Sequence, residues 1–130
     1  MSASEVEQVA ALFDRFAAGF VTFDAANLVD LFATPGVALR RDGGIVALTA
    51  RDDVLRYYQS ALDRYRQDGC TSSRWSGMVV TPMGRGGMLA AVTWELLRAD
   101  RSVAACWRQS YCLSLMRDGP RIFASAQHVE

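Results

Sequence analysis

Apolar residues recur at helical spacing in three segments of the first half of the chain. The first segment carries them on one stripe, formed by Val9, Leu12, Phe13, Phe16 and Phe20. The second lies between Asp24 and the helix-breaking pair Pro35-Gly36, and its apolar positions are Leu28, Leu31 and Phe32. The third carries Val54, Leu55, Tyr58, Leu62 and Tyr65. Each pattern predicts a helix with one buried face.

The starts and the polar faces of these helices can also be predicted. Ser4 with Glu7, and Thr49 with Asp52, have the spacing of capping boxes. The polar positions of the third helix are typical of a solvent-facing surface, and they are Arg51, Arg56, Asp63, Arg64 and Arg66.

Six segments are predicted to be strands, over residues 37–41, 45–48, 72–82, 88–98, 103–116 and 121–129. The first two are joined through Asp42-Gly43-Gly44, which is a strong hairpin signal. The resulting order, ααββαββββ, indicates an α+β fold with helices on one face of a mostly antiparallel sheet. Strands as long as the later ones must twist and coil, so the sheet and helices are expected to enclose a cone-shaped space.

Three parts of the chain resemble the NTF2-like superfamily, which includes SnoaL-like polyketide cyclases, scytalone dehydratase and steroid delta-isomerases. Residues 24–32 are similar to the family's second-helix segment, and residues 42–51 to the hairpin that runs into its third helix. Residues 112–122, followed by Gln127 and His128, are similar to its closing hairpin and terminal histidine. The resemblance implies one domain over residues 1–130, with three N-terminal helices packed on a strongly curved sheet.

The resemblance also indicates which side chains face the interior. Residues 92–96 are similar to a strand of the steroid isomerases whose first, third and fifth residues face the pocket. The resemblance therefore implies that Val92, Trp94 and Leu96 point inward. Period-two alternation agrees, because these residues share one apolar face with Met88 and Ala90. In the next strand, the same alternation from Leu113 and Leu115 places an aromatic and polar set on the inner face, namely Tyr111, Gln109 and Trp107.

The catalytic groups of the isomerases are only partly present. Tyr111 stands where the isomerases keep a neutral acid, and a tyrosine can donate the same kind of hydrogen bond. Their general base lies on the first strand, where alternation from Val37 and Leu39 places Arg41, or Arg40 if a bulge intervenes. An arginine stays protonated and cannot act as a base, so the steroid-isomerase catalytic acid is missing. An inward arginine would instead indicate a carboxylated ligand.

His128 is the single histidine of the chain. Alternation along the last strand places it on one face with Ile122, Ala124 and Ala126. If that face is the inner one, His128 can move a proton near neutral pH, with Tyr111 as its catalytic partner. A structural or exposed histidine is the alternative. The predicted ligand-binding side chains are Trp94, Gln109, Trp107, Arg41, Tyr58 and Val92.

Composition limits the classes of partner. The 14 basic and 14 acidic residues give no net field that would attract nucleic acid or a membrane surface. The acidic start of the chain and the absence of a long apolar run favour a cytoplasmic protein. Three cysteines without a CxxC pair indicate reduced thiols, with no disulfide framework, metal site or cofactor.

The outer face of the long strands mixes apolar and polar residues and is poorly suited to bare exposure, so we expect a homodimer through it. Three functions then remain. The first is the binding of a small apolar or aromatic molecule, and its enzymatic form is an isomerase, cyclase or dehydratase of SnoaL-like character. The second is a non-catalytic accessory domain. The third is a protein-interaction domain that uses the outer sheet face.

Overall fold

Two α-helices and six strands make up most of the computed structural model, which describes residues 2–116 and 118–129. The helices are α1 (Ala3–Phe20) and α2 (Arg51–Gln67). The predicted second helical segment forms as two consecutive 3-10 turns, Ala25–Asn27 and Val29–Leu31. The strands are β1 (Phe32–Leu39), β2 (Ile45–Leu48), β3 (Cys70–Met83), β4 (Gly87–Arg98), β5 (Val103–Met116) and β6 (Gly119–Gln127). The predicted α+β class and element order are confirmed.

The strands form one sheet with the order β2-β1-β6-β5-β4-β3. The pairs of neighbouring strands are antiparallel except for β1 and β6, which are parallel although α2 and the four other strands separate them along the chain. No helix within residues 2–116 and 118–129 is long and apolar enough to cross a membrane.

Both α-helices begin at caps one or two residues away from the predicted positions. The Ser2 hydroxyl accepts a hydrogen bond from the Glu5 backbone N–H at 3.1 Å, and the Glu5 carboxylate accepts one from the Ser2 N–H at 3.0 Å. At α2, the Asp53 carboxylate accepts a hydrogen bond from the Ala50 N–H at 2.9 Å. The predicted capping boxes at Ser4 and Thr49 were wrong. At each helix start, more than one residue is followed three positions later by an acidic residue, so this spacing alone does not identify the N-cap.

The core lies between the helices and the inner face of the sheet. Phe13 of α1 packs on Trp75, Trp94 and Tyr111, with ring centroids 5.9, 6.3 and 5.2 Å away. Burial of each such side chain contributes about 1.5–3 kcal/mol to folding. The inner face of β4 is the predicted one, since Met88, Ala90, Val92, Trp94 and Leu96 are all buried.

A register shift in β1 reverses the predicted face of that strand. The pairing of β1 with β6 is irregular between Phe32 and Val37, so Ala38 is buried while Val37 and Leu39 are each 41% exposed. The prediction that Val37 and Leu39 point inward was therefore wrong. Because side chains alternate along a strand, the position beyond Leu39 that shares the inner face of Ala38 is Arg40.

A second bulge changes the face of β6. Cys112 of β5 pairs with Ala124, but the next residue of β5 pairs with Ile122, which leaves Phe123 as the extra residue. Ile122 and Ser125 are consequently both buried on the inner face, although three positions separate them. The prediction that Ile122 shares a face with Ala124, Ala126 and His128 was wrong, because it assumed unbroken alternation.

Candidate ligand-binding cavity

A cavity of about 680 Å³ lies between the inner face of the sheet, α1 and α2. This volume is in the range of sites for small organic ligands, which is about 300–1,000 Å³. Its aromatic lining comes from both layers of the fold, and consists of Phe16, Phe20, Tyr57, Tyr58, Tyr65, Trp94, Trp107 and Tyr111.

The floor of the cavity is a buried hydrogen-bonded pair. The indole Nε1–H of Trp94 donates to the Tyr111 hydroxyl at 2.8 Å, and both side chains are nearly inaccessible to solvent. Burial raises the pKa of Tyr111 well above its ordinary value, with the nearby Tyr58 acting in the same direction. Tyr111 is therefore a neutral hydroxyl at every physiological pH.

Tyr58 is the second buried hydroxyl of this region. Burial raises the pKa of Tyr58, and the neighbouring Ser125 hydroxyl only partly opposes that effect. Its ring packs on Phe32 and Phe16 at centroid distances of 4.6 and 6.0 Å. Tyr58 thus joins α2 to the sheet and presents another neutral donor.

One wall of the cavity is built from Trp107, Gln109 and Tyr65. The Trp107 Nε1–H donates to the Gln109 side-chain oxygen at 2.7 Å, and the Tyr65 ring stacks on Trp107 at 6.1 Å. The indole thereby orients the amide, and within the described chain the Gln109 NH₂ group has no acceptor. Gln127, its pairing partner on β6, also lines the cavity.

The mouth of the cavity is charged. Four arginines and two aspartates contribute to its lining, namely Arg40, Arg41, Arg56, Arg64, Asp42 and Asp53. The pair of Arg56 with Asp53 has an N–O distance of 2.6 Å, whereas Arg40 and Asp42 are 3.5 Å apart.

Tyr57 lies where several of these charges converge. Burial raises the pKa of Tyr57, while Arg40 and Arg64 both lower it and Asp42 raises it. Tyr57, Arg40 and Arg64 all line the cavity. Asp53 is already engaged by the Ala50 N–H and by Arg56, and the first of these contacts is the larger cause of its lowered pKa.

The described cavity lining carries carboxylates only at this mouth, as Asp42 and Asp53. The floor is formed by neutral hydroxyl, indole and amide groups, so no side chain there can serve as a base at neutral pH. One polar atom deeper in the cavity lacks a partner: the Ser73 hydroxyl oxygen is buried and unbonded among the described residues. Residues 2–116 and 118–129 contain no group of three or more His, Cys, Asp or Glu side chains that could hold a metal ion.

His128 lies outside the cavity. Its Nε2 is 2.7 Å from the Ser110 hydroxyl, and its backbone N–H donates to the Arg108 carbonyl at 2.9 Å. Ser110 pairs with Ala91 on the outer face of the sheet, and His128 is exposed there. The expected position of His128 beside Tyr111 was therefore wrong, because the bulge at Phe123 turns the end of β6 outward.

Most other predicted ligand-binding residues do meet at the cavity: Tyr58, Trp94, Trp107, Gln109, Tyr111 and Arg41 line it. Arg40 lines it as well, so the two alternatives for the inward arginine are both present. Val92 is the exception, because it is fully buried in the core and does not reach the cavity.

Some lining residues were missed. Arg56 and Arg64 were assigned to a solvated face, and they are indeed exposed, but that face borders the mouth of the cavity. Ser73 and Gln127 also lacked a signal, because their positions depend on which strands pair. Tyr65 was recognised only as part of a helical stripe.

Comparison with known proteins gives the family context of this geometry. A family model described as "NTF2-like protein (DUF6841)" matches residues 4–130. No curated protein matches the sequence.

Several solved structures are similar in fold. Aln2 from a Streptomyces species superposes with a TM-score of 0.81 at 13% identity, covering 99% of this chain and 93% of that one. An NTF2-like protein with a cystatin-like fold from Novosphingobium aromaticivorans gives 0.77 at 15% identity, covering 97% and 82%. A candidate dehydratase of the NTF2-like family from Streptomyces avermitilis gives 0.70 at 14% identity, covering 100% of both chains. Identities this low show the fold alone.

Proposed function

Since the chain belongs to the NTF2-like family DUF6841, we propose that it binds a small, largely apolar or aromatic molecule in the cavity between α2 and the sheet. The observation that carries this proposal is the aromatic lining around about 680 Å³ of space. Aromatic side chains bury large areas and offer planar surfaces to a flat ligand. Apolar lining with a few convergent polar groups is characteristic of small-molecule sites.

The polar groups of the interior favour one feature of the ligand. Gln109 and Tyr58 contribute an amide N–H₂ group and a hydroxyl to the largely aromatic lining of the cavity. The Gln109 side-chain oxygen already accepts a hydrogen bond from the Trp107 indole, so the N–H₂ group is the part of this amide that can donate to a ligand oxygen. We therefore propose that the bound molecule carries a carbonyl or hydroxyl oxygen at the Trp107–Gln109 wall.

Catalysis on a bound small molecule is the second candidate function. It is favoured by the neutral, buried hydroxyls of Tyr58 and Tyr111, which can stabilise negative charge that develops on a substrate oxygen. One related fold comes from a candidate dehydratase of the NTF2-like family. Binding without turnover ranks first because the described cavity floor has no proton acceptor and His128 lies on the other face of the sheet.

A direct test is native mass spectrometry of freshly purified protein, followed by denaturing extraction and identification of any retained compound. Retention of an apolar compound, and its loss from a variant with a filled cavity, would support the proposal. Recovery of empty protein that also shows no tryptophan fluorescence change with any aromatic probe would contradict it, because Trp94 and Trp107 both line the cavity.

We also propose that two copies of the chain associate through the outer face of the sheet. Paired residues form an apolar row across that face, and the row contains Ile45, Leu39, Ala126, Ala91 and Val79, with Ser110 at its centre. Ile45 is 74% exposed and Val79 is 59% exposed. A second copy would remove these side chains from water. We further propose that the protein is cytoplasmic, because an odd number of cysteines without a CxxC pair is typical of reduced thiols.

A further inference from the structure

The mouth of the cavity has a local excess of positive charge. Four guanidinium groups and two carboxylates line it, although the whole chain carries 14 basic and 14 acidic residues. The excess is therefore a property of this site and does not reflect the overall composition. A charged rim above an apolar interior attracts a ligand with an acidic end.

The arginines differ in how far they are already neutralised. Arg56 is held by Asp53 at 2.6 Å, and that carboxylate is fixed in turn by the Ala50 N–H. Arg40 has a looser ion pair with Asp42 at 3.5 Å, and the other Asp42 oxygen accepts a hydrogen bond from the Gly44 N–H.

Arg64 has no carboxylate partner within the described chain, and its guanidinium lies over the Tyr65 ring, 5.3 Å from the centroid. The same ring stacks on Trp107. An aromatic column therefore leads from the charged mouth to the cavity wall. A molecule lying along this column would place an acidic group next to Arg64 and its apolar body among the aromatic rings.

Arg40 and Arg64 reach the mouth of the cavity from different elements. Arg40 follows the end of β1, Arg64 lies in the last turns of α2, and both line the cavity together with the half-buried Tyr57. Burial keeps the Tyr57 hydroxyl protonated, so it can donate a hydrogen bond. Guanidinium groups and a phenolic O–H are donors, and an ionised carboxylate is an acceptor that pairs strongly with them.

Resting on the proposed ligand-binding function, we propose that the bound molecule is an apolar carboxylic acid, whose carboxylate is held at the mouth by Arg40, Arg64 and the Tyr57 hydroxyl. The rim favours a single negative charge because Asp42 and Asp53 also lie on it and would repel a dianion such as a phosphate monoester.

The test compares two probes of the same shape: 2-naphthoate, which is an anion, and 2-naphthamide, which is neutral. Binding is measured by quenching of tryptophan fluorescence at low ionic strength. The wild-type protein should bind 2-naphthoate at least about tenfold more tightly than 2-naphthamide, because charge-assisted hydrogen bonds are the stronger kind. Arg64→Gln and Arg40→Gln should each weaken 2-naphthoate binding about tenfold and leave 2-naphthamide binding unchanged.

The matched control is Arg66→Gln. Arg66 lies on the same helix, but its guanidinium is placed over Phe23 and it does not line the cavity. This variant should keep the full preference for 2-naphthoate.

Each alternative result has a distinct meaning. Equal binding of both probes to the wild-type protein, or equal weakening of both by Arg64→Gln, would overturn the acid-binding inference and leave the ligand cavity standing. Tighter binding of 2-naphthyl phosphate than of 2-naphthoate would overturn the carboxylate in favour of a phosphate. Failure of both naphthyl probes to bind would contradict the proposed function itself.

Discussion

Trp94 donates its indole N–H to the hydroxyl of Tyr111 at 2.8 Å, and both side chains are buried. They come from adjacent strands, β4 and β5, and Phe13 of α1 packs on both rings. This side-chain hydrogen bond adds to the backbone pairing of the two strands, and it lies beneath a helix at the floor of the cavity. The bond gives the buried Trp94 N–H its acceptor, and it leaves the Tyr111 O–H free to donate.

Removing the Tyr111 hydroxyl should destabilise the protein. Tyr111→Phe leaves the Trp94 N–H buried without an acceptor, and we expect the free energy of unfolding to fall by about 1–3 kcal/mol. Urea denaturation followed by circular dichroism measures the change. Tyr65→Phe is the control, because the Tyr65 ring is only partly buried. A loss for Tyr111→Phe no larger than that of the control would show that the bond has little net value.

Filling the cavity with a larger side chain should weaken ligand binding without unfolding the protein. Ala61 lies on α2 and lines the cavity, so Ala61→Phe places a ring in the space that the ligand would occupy. We expect binding of 2-naphthamide to weaken by at least about tenfold, while the protein stays folded because the ring enters an existing void. Ala18→Phe, on the exposed face of α1, is the matched control and should leave binding unchanged. Unaltered binding to Ala61→Phe would place the ligand elsewhere.

Alkaline pH should unfold the protein through its buried tyrosines. Burial raises the pKa of Tyr58 and Tyr111 in the folded state, whereas an unfolded tyrosine ionises at about pH 10. Below about pH 10 both states keep these protons, and stability does not depend on them. Above it the unfolded state loses protons that the folded state retains, so the free energy of unfolding falls as the pH rises.

The ultraviolet absorbance of tyrosinate checks this prediction. The phenolate signal of Tyr58 and Tyr111 should appear together with the loss of circular dichroism. Ionisation of all four tyrosines at about pH 10, with the fold intact, would contradict it. The double variant Tyr58→Phe, Tyr111→Phe should show a shallower decline of stability with pH above that point, although its stability at neutral pH is lower.

His128 should be dispensable for the cavity. Its ring is bonded to Ser110 on the outer face of the sheet, so His128→Ala should leave the dissociation constant of 2-naphthoate unchanged within about twofold, because an exposed substitution away from a site has a small effect. Fluorescence titration of both proteins at about pH 6 and about pH 8 makes the comparison. A drop in affinity, or a change in its pH dependence, would show that His128 reaches the ligand.

A charged side chain introduced into the outer face of the sheet should disrupt the proposed dimer. Val79→Glu introduces a carboxylate into the apolar row, where pairing would desolvate it, and we expect a monomer by size-exclusion chromatography with light scattering. Val21→Glu is the matched control, because Val21 is 48% exposed, similar to Val79, but follows α1 and lies away from the sheet. A wild-type monomer at every concentration would end the dimer proposal. A dimer for both variants would move the interface to another surface.

The sequence alone determined the fold and the positions on β4 and β5. Regular alternation from Met88 to Leu96 placed Trp94 inside, and alternation back from Leu113 placed Trp107, Gln109 and Tyr111 on the same inner face. This worked because the pairing of β4 with β5 has no register shift between Gly87 and Leu96, so the period of two holds there and the hydrophobic pattern records which face is buried. The stripes of α1 and α2 were equally readable, whereas the second predicted helix formed two 3-10 turns and its last apolar position, Phe32, begins β1.

Tertiary structure decided the faces of β1 and β6, and with them the site. The bulge at Phe123 and the shift after Phe32 moved His128 out of the cavity and Arg40 toward it. A bulge is a mismatch between two strands, so it depends on the partner's register and leaves no mark in the local pattern of one strand. The basic mouth arises in the same way, because Arg40 and Arg64 belong to separate elements that meet only when α2 folds over the sheet. The sequence determined which residues could form a ligand site, and the pairing of the strands decided which of them do.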